Sequence, residues 1–500
     1  MTESAEKTAP GTAVPETAPE RKPMDRGAAV LLLLAFAAAA WFCFGHDFFR
    51  GGMGIGLTVT HFALTAAVMV MAGRRGILKI RPSGLFLLIL SFMLSTVYAV
   101  YANAVMKLLD LPVLLLLTAQ ALFALTERNA FPALSAQGLW EGARRYAGSL
   151  FRMWGMPVRT LKQKSRCRHT DRLAVGILAA AAAGAVAAAV LSTADTVFSG
   201  LLESAAGAIR YADGPFFAKL LMCFPLALML FSHRCSLLEA PHEIRPAAAG
   251  AKDPTVIRMV LLALALVYGL FAYVQVRYLF AGVESVRMSG GYAEYARSGF
   301  FQLVLVALLT LCLILPSLRM CRDDGAVRVL CALVTVLTGV IDFSAFFRMR
   351  LYIGAYGLTT LRIVTLWGIG MILLALLAAL IKTARPGLEI CPMLAAAALV
   401  TWVMLNWANV DRLVADDLVA RYNAGLYARE DGVAALASDR YWSPDYYAAF
   451  GKITDPDARA AALELLDERG GATDDGERPL REPALYDWSL CYLKLPEERK

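Results

Sequence analysis

The chain has 500 residues, of which 58% are apolar and 18% charged, and its mean hydropathy is +0.55; soluble globular proteins average about 45–50% apolar and about 25% charged. That composition excludes an ordinary soluble enzyme and marks a membrane protein. The net charge of +8 does not indicate a nucleic-acid partner, because the basic residues stand in short runs between apolar segments, where lipid headgroups account for them.

Residues 1–26, rich in Ala, Thr, Pro and Glu, bury too little surface to order themselves and are expected to form a disordered cytoplasmic tail. A bilayer core about 30 Å thick takes about 20 apolar residues as a helix. Eleven segments meet that measure: 27–45, 54–73, 84–102, 108–126, 173–194, 215–232, 259–282, 299–318, 326–347, 363–381 and 388–407. The run 27–45 begins too far from the start for a signal peptide and reads as an uncleaved first span. Two segments are weak: 108–126 opens with Asp110 and Pro112, and 215–232 contains Lys219 and Pro225. The expected fold is all-α, a polytopic transmembrane helix bundle of about eleven spans with a small extracytoplasmic helical C-terminal domain.

The chain divides into spans 1–4 (27–126), a basic amphipathic loop (127–172), spans 5–11 (173–407) and an acidic tail (408–500). In the basic loop, Leu139, Ala143, Tyr146, Ala147, Leu150, Phe151 and Trp154 recur at helical spacing, opposite Glu141, Arg144, Arg145 and Arg152. That pattern suits a helix in the headgroup layer followed by a polybasic run against anionic lipid; the plain alternative is a topogenic positive loop. Residues 174–191 are nearly all small or apolar, the pattern of a helix packed among helices. In the tail, Val414, Leu418, Tyr422 and Leu426 form a helical stripe, and Ser443-Pro444 and Asp455-Pro456 mark helix starts.

Loops assigned to the inside carry nearly threefold more Lys and Arg than those assigned outside, which places the N-terminus in the cytoplasm and the C-terminus beyond the membrane. Nine cysteines are present, with no CxxC pair and no metal-spaced set with histidine. No metal, cofactor or catalytic set is expected, and isolated His61 is expected to pack against a neighbouring helix.

Ionisable groups inside spans are expensive and therefore candidate functional residues. Asp195, Arg277 and Asp342 are of this kind. They share the outer side with two tyrosine-rich loops, 283–301 and 348–362, which supply Glu284, Tyr292, Glu294, Tyr295, Arg297, Arg348, Arg350, Tyr352, Tyr356 and Arg362. Together these define a candidate outer polar pocket, with Arg277 and Asp342 the pair to test first. A structural ion pair fixing helix register, and an aromatic belt at the boundary, are the plain alternatives.

The stretches Gly291-Tyr292-Ala293-Glu294-Tyr295-Ala296-Arg297-Ser298-Gly299-Phe300-Phe301, Arg348-Met349-Arg350-Leu351-Tyr352, Tyr356-Gly357-Leu358-Thr359-Thr360-Leu361-Arg362, Asn409-Val410-Asp411 and Ala420-Arg421-Tyr422-Asn423 resemble a bacterial family of polytopic membrane proteins, the domain of unknown function DUF4173, related to DUF4153. The resemblance spans residues 170–440 and implies a membrane-embedded helical family with no assigned activity. Three readings follow. The first is a non-enzymatic sensor or binding and scaffold protein of the bacterial plasma membrane, its tail a platform for an envelope protein. The second is a transporter of a small or lipid-linked substrate passing Arg277 and Asp342. The third is an envelope-building enzyme acting on a lipid-linked substrate, with Glu284, Glu294 or Asp342 as base.

Overall fold

A computed structural model of the chain describes residues 24–45, 53–129, 131–164, 214–239, 254–280, 300–321, 323–426 and 443–471. Among these residues every regular element is a helix: α1 (Arg26–Gly45), α2 (Ile55–Arg74), α3 (Pro82–Val100), α4 (Ala104–Leu125), α5 (Ala136–Arg152), α6 (Gly155–Lys164), α7 (Gly214–Ser236), α8 (Pro254–Phe280), α9 (Phe300–Met320), α10 (Gly325–Tyr356), α11 (Thr360–Ala384), α12 (Ile390–Trp407), α13 (Val410–Asn423), α14 (Asp445–Phe450) and α15 (Pro456–Gly471). Ten of them, α1–α4 and α7–α12, are long and apolar enough to cross a bilayer. The protein is thus an all-α, multi-pass membrane bundle. Ten expected spans coincide with these helices; the segment 173–194 lies outside the described residues.

The spans form two groups. In the first, α1, α2, α4 and α7 meet around Leu31, Val68, Leu122, Phe123 and Phe231, with α5 laid against α4 and α7. In the second, α8–α11 meet around Leu261, Ala307, Ile314, Cys331, Val334 and Leu376. Helix α12 touches both α3 and α11 and joins the groups. The tail continues this packing: Leu94, Tyr98, Leu114, Trp402, Val414, Tyr446 and Phe450 belong to one apolar cluster, in which α13 rests on α11 and α12, α14 packs on α13 and α15 on α14.

One reading of the sequence changes. Residues 348–356 do not begin a loop; α10 runs unbroken for 32 residues, roughly 48 Å, and overhangs a bilayer core of about 30 Å. Arg348, Arg350 and Gly354 resemble loop residues because they lie on that overhang, where a helix carries polar groups freely. The helix stops at Gly357, whose φ of 78° suits glycine and whose Cβ position would lie 3.2 Å from Asp417 Oδ2.

The basic loop holds the helix α5, whose residues Gly138, Glu141, Gly142 and Ser149 are buried, whereas Trp140 is 74% and Phe151 62% exposed, beside exposed Arg144 and Arg152. A Cβ on Gly142 would meet Gln120 Nε2 at 1.7 Å, and the same amide donates to Gly138 O at 2.8 Å. The helix is bound to α4 by polar contacts and to the first group of spans through Tyr146 and, just past its end, Met153.

At the start of α10, Asp324 Oδ1 accepts from the N–H groups of Ala326 and Val327 at 3.0 Å each, and Oδ2 pairs with Arg258. The hydrogen bond from Arg258, then those backbone groups, hold the Asp324 carboxyl below its ordinary range. Its stabilisation is therefore present above the unfolded-state value of about 3.9 and disappears as pH falls through the lower folded value. Thermal stability is expected to drop on acidification below that point, with a smaller drop in Asp324→Asn; equal acid sensitivity in both would contradict this.

Candidate functional site

The densest buried polar network lies where α3 turns into α4. Asn103, in the three-residue turn between them, caps α4 through Oδ1, which accepts from Met106 N at 2.8 Å. Its Nδ2 donates to Asp411 Oδ1 and, at 3.3 Å, to Thr360 Oγ1. One side chain thereby ties together the first turns of α4, α11 and α13. One turn on, buried Lys107 lies 5.9 Å above the Tyr98 ring, and the Tyr98 hydroxyl donates to Lys107 O at 2.6 Å.

Asp110 is completely buried. Its Oδ1 accepts from Trp402 Nε1 at 2.7 Å and Asn406 Nδ2 at 3.1 Å, two residues one turn apart on α12. Trp402 stands edge-on to Trp367 of α11 at 4.8 Å, and Trp367 Nε1 donates to Thr401 Oγ1 at 3.0 Å. The carboxylate thus occupies a hydrophobic slot because two donors from a neighbouring span meet it there. At the rim, Tyr101 donates to Trp407 O and Trp407 Nε1 to Met93 O, both at 3.1 Å.

Helix α13 begins at Asn409, which adopts the left-handed conformation at φ 51° and accepts from Arg412 N with its side chain; asparagine tolerates that conformation better than most residues. From there α13 clasps the α10–α11 turn. Asp417 Oδ2 accepts from Leu358 N at 2.8 Å, and Arg421 donates to Ile353 O at 2.7 Å and Gly354 O at 2.9 Å. Arg362 takes Tyr356 O and Gly357 O and lies 4.2 Å over the Tyr352 ring. The carbonyls at the C-terminal end of α10, which no further turn of helix can satisfy, are so covered by two arginines. Asn423 and Asp416 extend the hold to the turn after α14, through Lys452 O, Thr454 N and the Lys452 ammonium.

Between these groups a cavity of about 10 Å³ is lined by Val97, Tyr101, Asn103, Met106, Lys107, Asn406, Asn409 and Val410, room for about one water. Most of the site's donors and acceptors meet one another across four helices, while Asp110 Oδ2 and Asn406 Oδ1 have no hydrogen-bond partner among the described residues. Its chemistry is that of a lock.

Of the residues singled out from the sequence, Asp195, Glu284, Tyr292, Glu294, Tyr295 and Arg297 lie outside the described residues. Asp342 is 1% exposed, near the middle of α10, and neither carboxylate oxygen has a hydrogen-bond partner among the described residues. Arg277 is exposed, and among the described residues no ion pair joins it to Asp342. Ser344 Oγ and Arg348 Nη2 both bond Gln275 Oε1, at 2.8 and 3.1 Å. That pairing sets α8 level with this part of α10 and leaves Arg277 about 9 Å beyond Asp342 along the axis. Arg350 and Tyr356 are exposed, and Tyr352 stacks near Tyr356 at 5.2 Å. Arg348, Tyr352, Tyr356 and Arg362 therefore lie on the α10 overhang and the start of α11, apart from Asp342.

The lock was largely missed by sequence reasoning. Asn103, Lys107, Trp402 and Asn406 carried no site signal, and Asp411 stood only in a stretch of the family resemblance. Asp110 was read as a weakness of its span, although a carboxylate inside an apolar run is itself the signal for a buried partner.

A family model described as "Domain of unknown function (DUF4153)" matches residues 87–437. No curated protein and no solved structure matches the chain.

Proposed function

The chain belongs to the DUF4153 family, and from that premise we propose that it is a non-enzymatic sensor or scaffold of the bacterial plasma membrane that presents α13–α15 as a fixed platform outside the cytoplasm. The observation that carries this reading is the way buried polar groups are used. Asn103 is engaged by Asp411 and Thr360, Asp110 by Trp402 and Asn406, and Asp417 and Arg421 by the α10–α11 turn. Groups bonded to one another hold a surface in place, and the cavity beside them, about 10 Å³, has room for about one water and none for a substrate.

The excess of Lys and Arg in alternate loops supports an inside N-terminus and an outside C-terminus. The outward Trp140 and Phe151 support seating of α5 among headgroups, with anionic lipid against the 127–172 segment. The acidic tail supports an envelope protein as the platform's partner. Kinship to the related DUF4173 family rests on the two tyrosine-rich stretches together with Asn409-Val410-Asp411 and Ala420-Arg421-Tyr422-Asn423 and belongs to the same proposal. A second reading, transport, is favoured by Asp342 alone, a mid-span carboxylate without a partner among the described residues.

Topology tests the first reading directly. In a cysteine-free chain carrying Leu426→Cys, at a position 68% exposed just beyond α13, a membrane-impermeant maleimide is expected to label intact cells. Labelling only after permeabilisation would put the platform in the cytosol and end the proposal.

A further inference from the structure

At the end of the bundle opposite α13, the side chains around Arg234 are arranged as no structural ion pair would be. Arg234 lies in the last turn of α7 and is 2% exposed. Its Nη1 donates to the neutral hydroxyl of Thr65 on α2 at 3.3 Å, and its Nε has no partner among the described residues. His61 and His233, both buried and within electrostatic reach of Arg234, each have an Nε2 in the same condition. His233 is held in place: its Nδ1 lies 2.7 Å from Ser149 Oγ on α5, and its ring stands edge-on to Tyr146 at 5.0 Å. The carboxylates near α5 are engaged elsewhere, Glu141 with Arg145 at 3.6 Å and Glu239 with Arg152 at 3.0 Å.

We infer that Arg234, beside Thr65, binds one oxyanion of the phosphate class. A buried guanidinium whose only hydrogen-bond partner among the described residues is a hydroxyl is a costly arrangement unless an anion completes it. The planar fork of arginine matches two phosphate oxygens at once. The depth fits a lipid phosphodiester: Arg234 ends its span beside α5, whose Trp140 and Phe151 face outward at the boundary. This site goes beyond the platform reading and does not depend on which side the platform faces.

The test is thermal unfolding of the full-length protein in detergent, with dioleoyl phosphatidylglycerol, dioleoyl phosphatidylcholine or inorganic phosphate added, alongside native mass spectrometry for retained lipid. A ligand that binds the folded state raises the melting temperature by mass action. Phosphatidylglycerol is expected to raise it saturably in the wild type and in Arg74→Gln, an exposed control. Arg234→Gln is expected to weaken the apparent affinity by about tenfold or more, the scale of one charge-assisted hydrogen bond. Arg234→Lys, which keeps the charge and loses the fork, should fall between, and it carries the test if Arg234→Gln does not fold. An Arg234-dependent rise with inorganic phosphate but not with the lipid keeps the anion site and assigns its occupant to free phosphate. Equal rises in wild type and both Arg234 variants, or no rise with any anion, overturn the inference.

Discussion

Asp411→Ala is expected to loosen the whole platform. The carboxylate is buried and accepts from Asn103 Nδ2, and removing one member of a buried hydrogen-bonded set strands the other. The loss is about 1.5–3 kcal/mol for a hydrogen bond to a charged group, which corresponds to roughly 10- to 150-fold more frequent opening. Amide exchange should therefore accelerate across α13–α15 and the α10–α11 turn, while α8 and α9 keep their protection. Asn103→Ala should cost more, because Asn103 also caps α4 and bonds Thr360, and the double variant should cost less than the two single changes added together, because both remove the Asn103–Asp411 contact. Additive costs, or unchanged exchange in α14 and α15, would show that this contact does not hold the tail.

Span positions were legible because a helix in hydrocarbon must be apolar for about 20 residues whatever its neighbours are. Where helices end was less legible. Nothing in Arg348-Met349-Arg350 distinguishes a loop from a helix that has left the hydrocarbon, since water satisfies the side chains of both.

The lock was hidden by distance in sequence. Asn103 and Asp411 are separated by 308 positions and Asp110 and Trp402 by 292, and no periodicity encodes partners so far apart. The motifs behind the family resemblance came nearer. Asn409 to Asn423 and Tyr356 to Arg362 were picked out separately, and the structure shows them as two sides of one contact, through Asp411 and Thr360 at Asn103 and Asp417 at Leu358. A single sequence displays such stretches but cannot say that they touch.

Asp342 should answer replacement in the opposite sense to Asp110. In Asp110→Leu, the indole N–H of Trp402 and the amide of Asn406 lose their acceptor, and each stranded group costs about 1–3 kcal/mol. Asp342 has no such donors among the described residues; it is surrounded by the apolar cluster of Leu303, Ile341, Ala345 and Ile369. Asp342→Leu is therefore expected to stabilise the folded bundle by about 1–3 kcal/mol, the cost of a polar group buried without a partner, as read by unfolding in nanodiscs. Asp342→Asn should change little, because an amide there is as poorly served. A destabilised Asp342→Leu would mean that the carboxylate is held by a group beyond the described residues and has a structural role. If instead the protein becomes more stable and the cell loses the envelope phenotype of the wild type, the carboxylate is kept at the expense of stability. Selection retains such a group when something must bind to it or pass it, and the transport reading would then displace the platform reading.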